Sequence, residues 1–127
     1  MKDFRKLEVW QKAHGLVSAV YRETAGFPKE EIYGLTSQIR RAAVSMPANI
    51  AEGCGRNGDA ELAHFLQMAS GSASELTYEL ELARDLKYLT TEQYASLDSN
   101  LIEVGKMLNV LIHRIRSSSS TPPRAGR

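Results

Sequence analysis

The chain of 127 residues has the length of one ordinary domain, and its 43% hydrophobic and 24% charged residues exclude a disordered or fibrous chain. Sixteen Lys and Arg against fifteen Asp and Glu leave a net charge of +1, so composition alone does not make it a polyelectrolyte. The single Cys54 excludes an internal disulfide framework. Lys2, Asp3, Arg5, Lys6, Glu8 and Lys12 interrupt any apolar leader, and no stretch approaches the roughly 18 apolar residues of a membrane span. The expectation is a protein of the cytoplasm.

Leu7, Trp10, His14, Val17, Tyr21 and Thr24 recur at steps of three and four, beside a second stripe of Val9, Ala13, Leu16 and Val20. This is the period of a first helix with a broad buried face, ending at Gly26. Pro28 and the acids Glu30 and Glu31 suit the opening of a second helix, in which Ile32, Leu35, Ile39, Ala42, Met46 and Ile50 carry the pattern to about Glu52. Pro47 lies inside that stripe and removes the amide that would bond the Ala43 carbonyl, so a kink is expected there. Gly53, Gly55, Asn57 and Gly58 break the chain, and Asp59 is placed to cap a third helix. Leu62, Phe65, Leu66, Ala69, Ala73, Leu76, Leu80 and Ala83 run that helix to about Tyr88.

Thr90 and Gln93 have capping-box spacing, and Leu97, Leu101, Val104, Leu108, Leu111 and Ile115 then alternate steps of four and three. From Ser117 the serines and prolines end all periodicity, so residues 117–127 read as a flexible Ser/Pro/Arg tail behind a domain of residues 4–116. No strand pattern occurs. The fold expected is all-α, an antiparallel up-down-up-down four-helix bundle kinked at Pro47. Tyr78, Leu82 and Leu89 fall off the third helix's main seam, and an apolar surface on so small a domain points to self-association.

Catalytic and cofactor signals do not assemble. Gly53, Gly55 and Gly58 match the dinucleotide-binding string, but that turn needs a preceding strand and this one follows a helix, so they read as a helix stop. Glu61 and His64 form one Glu-x-x-His pair where a di-iron bundle needs two, and Cys54 has no base near it in sequence. No catalytic residue, metal ligand, cofactor or small-molecule substrate is assigned.

Two polar groupings remain. Arg41, Ser45, Asn49 and Glu52 follow one face of the second helix opposite Gln67, Gly71 and Glu75 of the third. They read as a structural or interface network in which Arg40 or Arg41 pairs with Glu75, and Asn49 takes up backbone freed by Pro47. Charge is also unevenly distributed, at +3 over residues 1–56, −7 over 57–103 and +5 over 104–127. Lys106, His113, Arg114 and Arg116 are therefore the candidates for phosphate or an acidic partner.

The run from Gln38 through Arg40, Arg41, Ser45, Met46, Pro47, Asn49 and Glu52 to Gly53 resembles the signature of a bacterial four-helix-bundle family. That family comprises the proteins encoded in intervening sequences of 23S ribosomal RNA genes, and it is similar to the accessory protein of diversity-generating retroelements. Phe4, Leu7, Val9, Trp10 and Ala13, then Phe65, Leu66, Ala69, Gly71, Ser72, Glu75 and Leu76, then Tyr88 and Leu89 extend the likeness over about residues 4–115. The resemblance implies a homopentameric ring without known enzymatic activity whose partner is nucleic acid or a nucleic-acid enzyme. The expected function is a non-catalytic scaffold for RNA or an RNA-associated protein. The alternative is a protein-interaction adaptor with no affinity for nucleic acid.

Overall fold

The structure is a computed structural model, and it describes residues 3–119. A short 3-10 turn, Phe4–Lys6, leads into α1 (Glu8–Thr24), and a second, Lys29–Glu31, precedes α2 (Leu35–Cys54). α3 (Asp59–Asp85) and α4 (Thr91–Ser119) complete the described residues, which contain no strand. Short connections reverse the chain each time. α1 packs on α2 and α4, and α3 packs on α2 and α4, while the diagonal pairs do not meet among the described residues. That is the four-helix bundle expected from the periodicity.

Each helix buries one stripe. In α1 this is Val9, Ala13, Leu16, Val20 and Thr24, so the second stripe of the sequence is the core and His14 and Tyr21 of the first are exposed. His14 instead stacks on the half-buried Trp10, with ring centroids 4.7 Å apart. The α4 seam begins as expected at Leu97, Leu101, Val104 and Leu108, then drifts to Ile112, leaving Leu111 and Ile115 half-buried. Straight helices drift in this way from a strict seven-residue repeat. Burying each Leu contributes roughly 1.5–3 kcal/mol.

The second helix starts later than the sequence implies. Lys29–Glu31 forms a 3-10 turn, and Ile32 and Tyr33 are exposed, Tyr33 almost fully at 96%. The cause is Glu31. Its carboxylate accepts from the Leu35 amide (3.0 Å) and from the Tyr88 hydroxyl (2.9 Å), capping α2 from across the break at Gly34 and pinning it to the end of α3. These two bonds hold the Glu31 carboxyl below the ordinary carboxylate range.

α2 is helical without interruption from Leu35 to Cys54, and Pro47 sits buried inside it. The kink expected at Pro47 does not break the helix. α3 begins one residue earlier than its expected cap would place it. Gly58, at φ 89°, is the cap position and Asp59 is already helical. At the other end Lys87 adopts φ 64°, with Tyr88 N–H donating to the Ala83 carbonyl (2.9 Å), so α3 stops at Asp85 rather than Tyr88. The Thr90–Gln93 capping box forms as read, with reciprocal bonds of 2.9 and 3.0 Å. α4 runs on through Ser117–Ser119, so the tail does not begin at Ser117; the rest of the expected tail, residues 120–127, lies outside the described residues.

Candidate functional site

The polar network predicted around α2 divides into four parts. Ser45 and Asn49 form its centre: Ser45 Oγ and the Ser72 Oγ of α3 are 2.8 Å apart, and Asn49 Nδ2 donates to the Ser45 carbonyl (2.8 Å) and hydroxyl (3.0 Å). Asn49 therefore bonds the Ser45 carbonyl, not the Ala43 carbonyl that Pro47 leaves without its amide. Arg40 departs from the expected network, because one step along a helix turns a side chain by about 100° and carries it to α1. Its Nε donates to Thr24 Oγ1 (2.8 Å), its Nη2 to the Tyr21 carbonyl (3.4 Å), and its guanidinium lies 4.5 Å from the Tyr21 ring centre. Glu52 also departs. It points outward to pair with Arg56 at 3.0 Å, and both side chains are about half exposed, at 53% and 49%.

Arg41 and Glu75 do face one another's helix. With Gln38, Ser45 and Ser72 they line a groove of ≈ 290 Å³ between α2 and α3. Beneath them lies Glu79, which the sequence reading passed over. It is 3% exposed, and its Oε1 has no hydrogen-bond partner among the described residues. Burial, then the hydrogen bond to Glu75 and the Glu75 charge, push the Glu79 carboxyl up to about 8, against the opposing pull of Arg41. At neutral pH Glu79 keeps its proton. The signal in the sequence was the position of Glu79 inside the apolar series Leu76, Leu80, Ala83.

Lys106, His113, Arg114 and Arg116 are all exposed along the second half of α4. Arg116 Nη1 donates to Gln67 Oε1 of α3 (3.2 Å). Lys106 and Arg114 flank a groove of ≈ 340 Å³ between the start of α1 and α4, floored by Leu7, Val9, Met107, Val110 and Leu111 and rimmed by Glu8. The four basic side chains do not converge on one point. They are spread along about 15 Å of helix, a strip suited to an extended anion and not to a small ligand.

The remaining candidates are placed apart from these surfaces. Cys54 is buried, at 4% exposure. His64 is exposed with its ring against Phe65 (5.4 Å). Among the described residues no three His, Cys, Asp or Glu side chains are grouped to hold a metal ion, and no helix is long and apolar enough to cross a membrane.

Comparison with known proteins matches the model of the 23S rRNA-intervening sequence protein family to residues 5–110. The chain belongs to the 23S rRNA-intervening sequence protein family. A solved structure of similar fold is that of a protein of unknown function from the S23 ribosomal protein family of Bacteroides thetaiotaomicron VPI-5482. It is 27% identical and covers 83% of this chain and 95% of that one, with a TM-score of 0.76. No curated protein sequence matches the chain. The family match spans the Arg41–Glu52 row, Glu75 and Glu79 together with Lys106, and ends before His113, Arg114 and Arg116.

Two outcomes follow for this member of the 23S rRNA-intervening sequence protein family. Asn49→Ala should cost about 1–3 kcal/mol in denaturant unfolding, since it strips two bonds from half-buried Ser45, whereas Glu52→Ala removes an exposed ion pair and should cost well under 1 kcal/mol, roughly the median of such pairs. Equal losses for both would contradict the division of the row. Because the folded value of Glu79 lies above the ordinary 4.5, its contribution to stability is complete below pH 4.5 and is lost as the pH rises through about 8. Melting curves of Glu79→Gln should lack that component, gaining a few degrees over the native chain at pH 8 and little at pH 4.5.

Proposed function

We propose that the chain is a non-catalytic subunit of a ring-like homopentamer of the cytoplasm that acts as a scaffold for RNA or an RNA-associated protein. The observation that carries this reading is the character of the outward faces of α3 and α4. Tyr78 is 63% exposed, and Ile102 and Val110 are each 51% exposed, in helices whose other faces are already buried in the bundle. Apolar side chains presented in this way are the material of a subunit contact. Membership of a family described by 23S rRNA intervening sequences favours RNA over other polyanions as the partner chemistry.

The basic end supplies the contact with RNA. Arg114, Arg116 and His113, with Lys106 on the same half of α4, would be repeated by each subunit of a ring, so a local excess of charge becomes a multivalent strip. Such a strip attracts phosphates without reading bases, and its affinity depends steeply on salt. A second reading rests on the groove between α1 and α4. Its apolar floor of Leu7, Met107 and Leu111 is unlike a nucleic-acid surface and favours a protein-interaction adaptor with no affinity for nucleic acid.

Titration of labelled single-stranded RNA at two salt concentrations separates the two. The expected result is binding that weakens with salt, at a log-log slope of about −0.7 for each phosphate neutralised. A variant with Arg114→Ala and Arg116→Ala, cut after Ser117, should bind more weakly and with a shallower slope. Equal affinity of the two proteins, or binding indifferent to salt, would remove the basic end from the mechanism and leave the adaptor.

A further inference from the structure

α4 carries a second seam on the side away from its core stripe. Ile102, Lys106 and Val110 follow one another at steps of four, and all three are exposed. α3 carries an equivalent seam of Gly71, Glu75 and Tyr78, spaced four and three, also exposed. The two seams carry opposite charges, Glu75 on α3 and Lys106 on α4. Lys106 enters no ion pair among the described residues, and Glu75 likewise has no basic partner within ion-pair distance.

Within one subunit the heights of these residues are fixed by contacts between α3 and α4. Arg116 bonds Gln67 near one end, and Arg84 lies 4.6 Å from the Tyr94 ring centre near the other. Antiparallel helices in that register set Tyr78 level with Ile102, Glu75 with Lys106, and Gly71 with Val110. Rotation about an axis parallel to the helices keeps every residue at its height. A neighbouring copy brought alongside therefore meets an aromatic with an aliphatic, a carboxylate with an ammonium, and a glycine with a branched side chain.

We infer that the outward seam of α4 (Ile102, Lys106, Val110) in one copy packs against the outward seam of α3 (Gly71, Glu75, Tyr78) in the next. The contact is heterologous, so each copy uses both faces and the assembly closes as a ring. α3 and α4 occupy adjacent corners of the bundle and face outward about 90° apart; the directions to two neighbours differ by about 90° in a ring of four and about 108° in a ring of five. Gly71 has nothing within 4 Å of where a Cβ would stand, so the space beside it is empty in the single chain and available to Val110 of a neighbour. This contact rests on the self-association proposed above and adds which surfaces make it. Lys106 then serves the subunit contact, and the RNA strip is left to His113, Arg114 and Arg116.

The test is native mass spectrometry and light scattering on the full-length protein and four variants over a concentration series, with circular dichroism to confirm folding. Gly71→Arg fills open space in the single chain, so it should fold and assemble only at concentrations at least about tenfold higher. Lys106→Glu should weaken assembly similarly, and the double variant Lys106→Glu with Glu75→Lys should recover much of the loss. Gly15→Arg, at an equally open glycine on α1, should assemble like the native chain. If Gly71→Arg does not fold, the charge reversal and its rescue decide. Native assembly that survives both Gly71→Arg and Lys106→Glu would overturn this contact while leaving self-association intact. A native chain that is monomeric throughout the series would overturn both.

Discussion

The bundle depends on how closely α2 and α3 approach. At the lower end of this pair a Cβ on Gly53 would stand 2.9 Å from Phe65 Cβ and 3.1 Å from Leu62 Cδ1, a separation only glycine permits. Further along, the 2.8 Å contact of Ser45 with Ser72 replaces what would otherwise be two apolar side chains and keeps the helices near. The turn end and the middle of the pair are thus set by small residues. That closeness accounts for two other features. It keeps the long side chains of the polar row out of the helix contact, so Arg41 and Glu75 line the open groove above it and Glu52 is exposed. It also traps Glu79 where its carboxyl keeps a proton and shares it with Glu75. α1 and α4 complete the bundle by covering the apolar stripes that this pair presents.

What could be read in the sequence was what local spacing decides. The Thr90–Gln93 box closes within four residues, and the α4 stripe from Leu97 to Leu108 is regular, so both were legible and both form. The Glu31 cap was not legible, because half of it depends on Tyr88, 57 residues away, and without that partner the acids read as an ordinary first turn. Arg40 and Arg41 are neighbours in sequence that serve different helix pairs, and only the rotational phase of α2 in the bundle shows which arginine meets α1. Glu79 lay inside an apolar series, where the pattern hid a buried carboxyl. The basic residues of α4 were legible as a charge excess, and the structure adds that they form a strip and not a pocket.

A net charge of +1 conceals a division of charge that the fold converts into surfaces. α3 carries six acids against the single base Arg84, whereas the described length of α4 balances three acids in its first half with three bases in its second, so the charge match of the proposed contact is local to Glu75 and Lys106. In the contact we propose, the exposed Tyr78 meets Ile102 and Val110 meets Gly71, pairs that share a height along the two helices. Arg114 and Arg116 lie beyond the proposed contact, toward the far end of α4.

The most direct measurement of this account is oxidative cross-linking of a variant carrying Tyr78→Cys and Ile102→Cys, resolved without reductant. Cys54 is buried and contributes little background. The account predicts a ladder of cross-linked species that ends at five subunits. A product that stops at two would show that the contact pairs like with like, and an absence of any cross-linked product while the protein remains assembled would show that these faces do not meet.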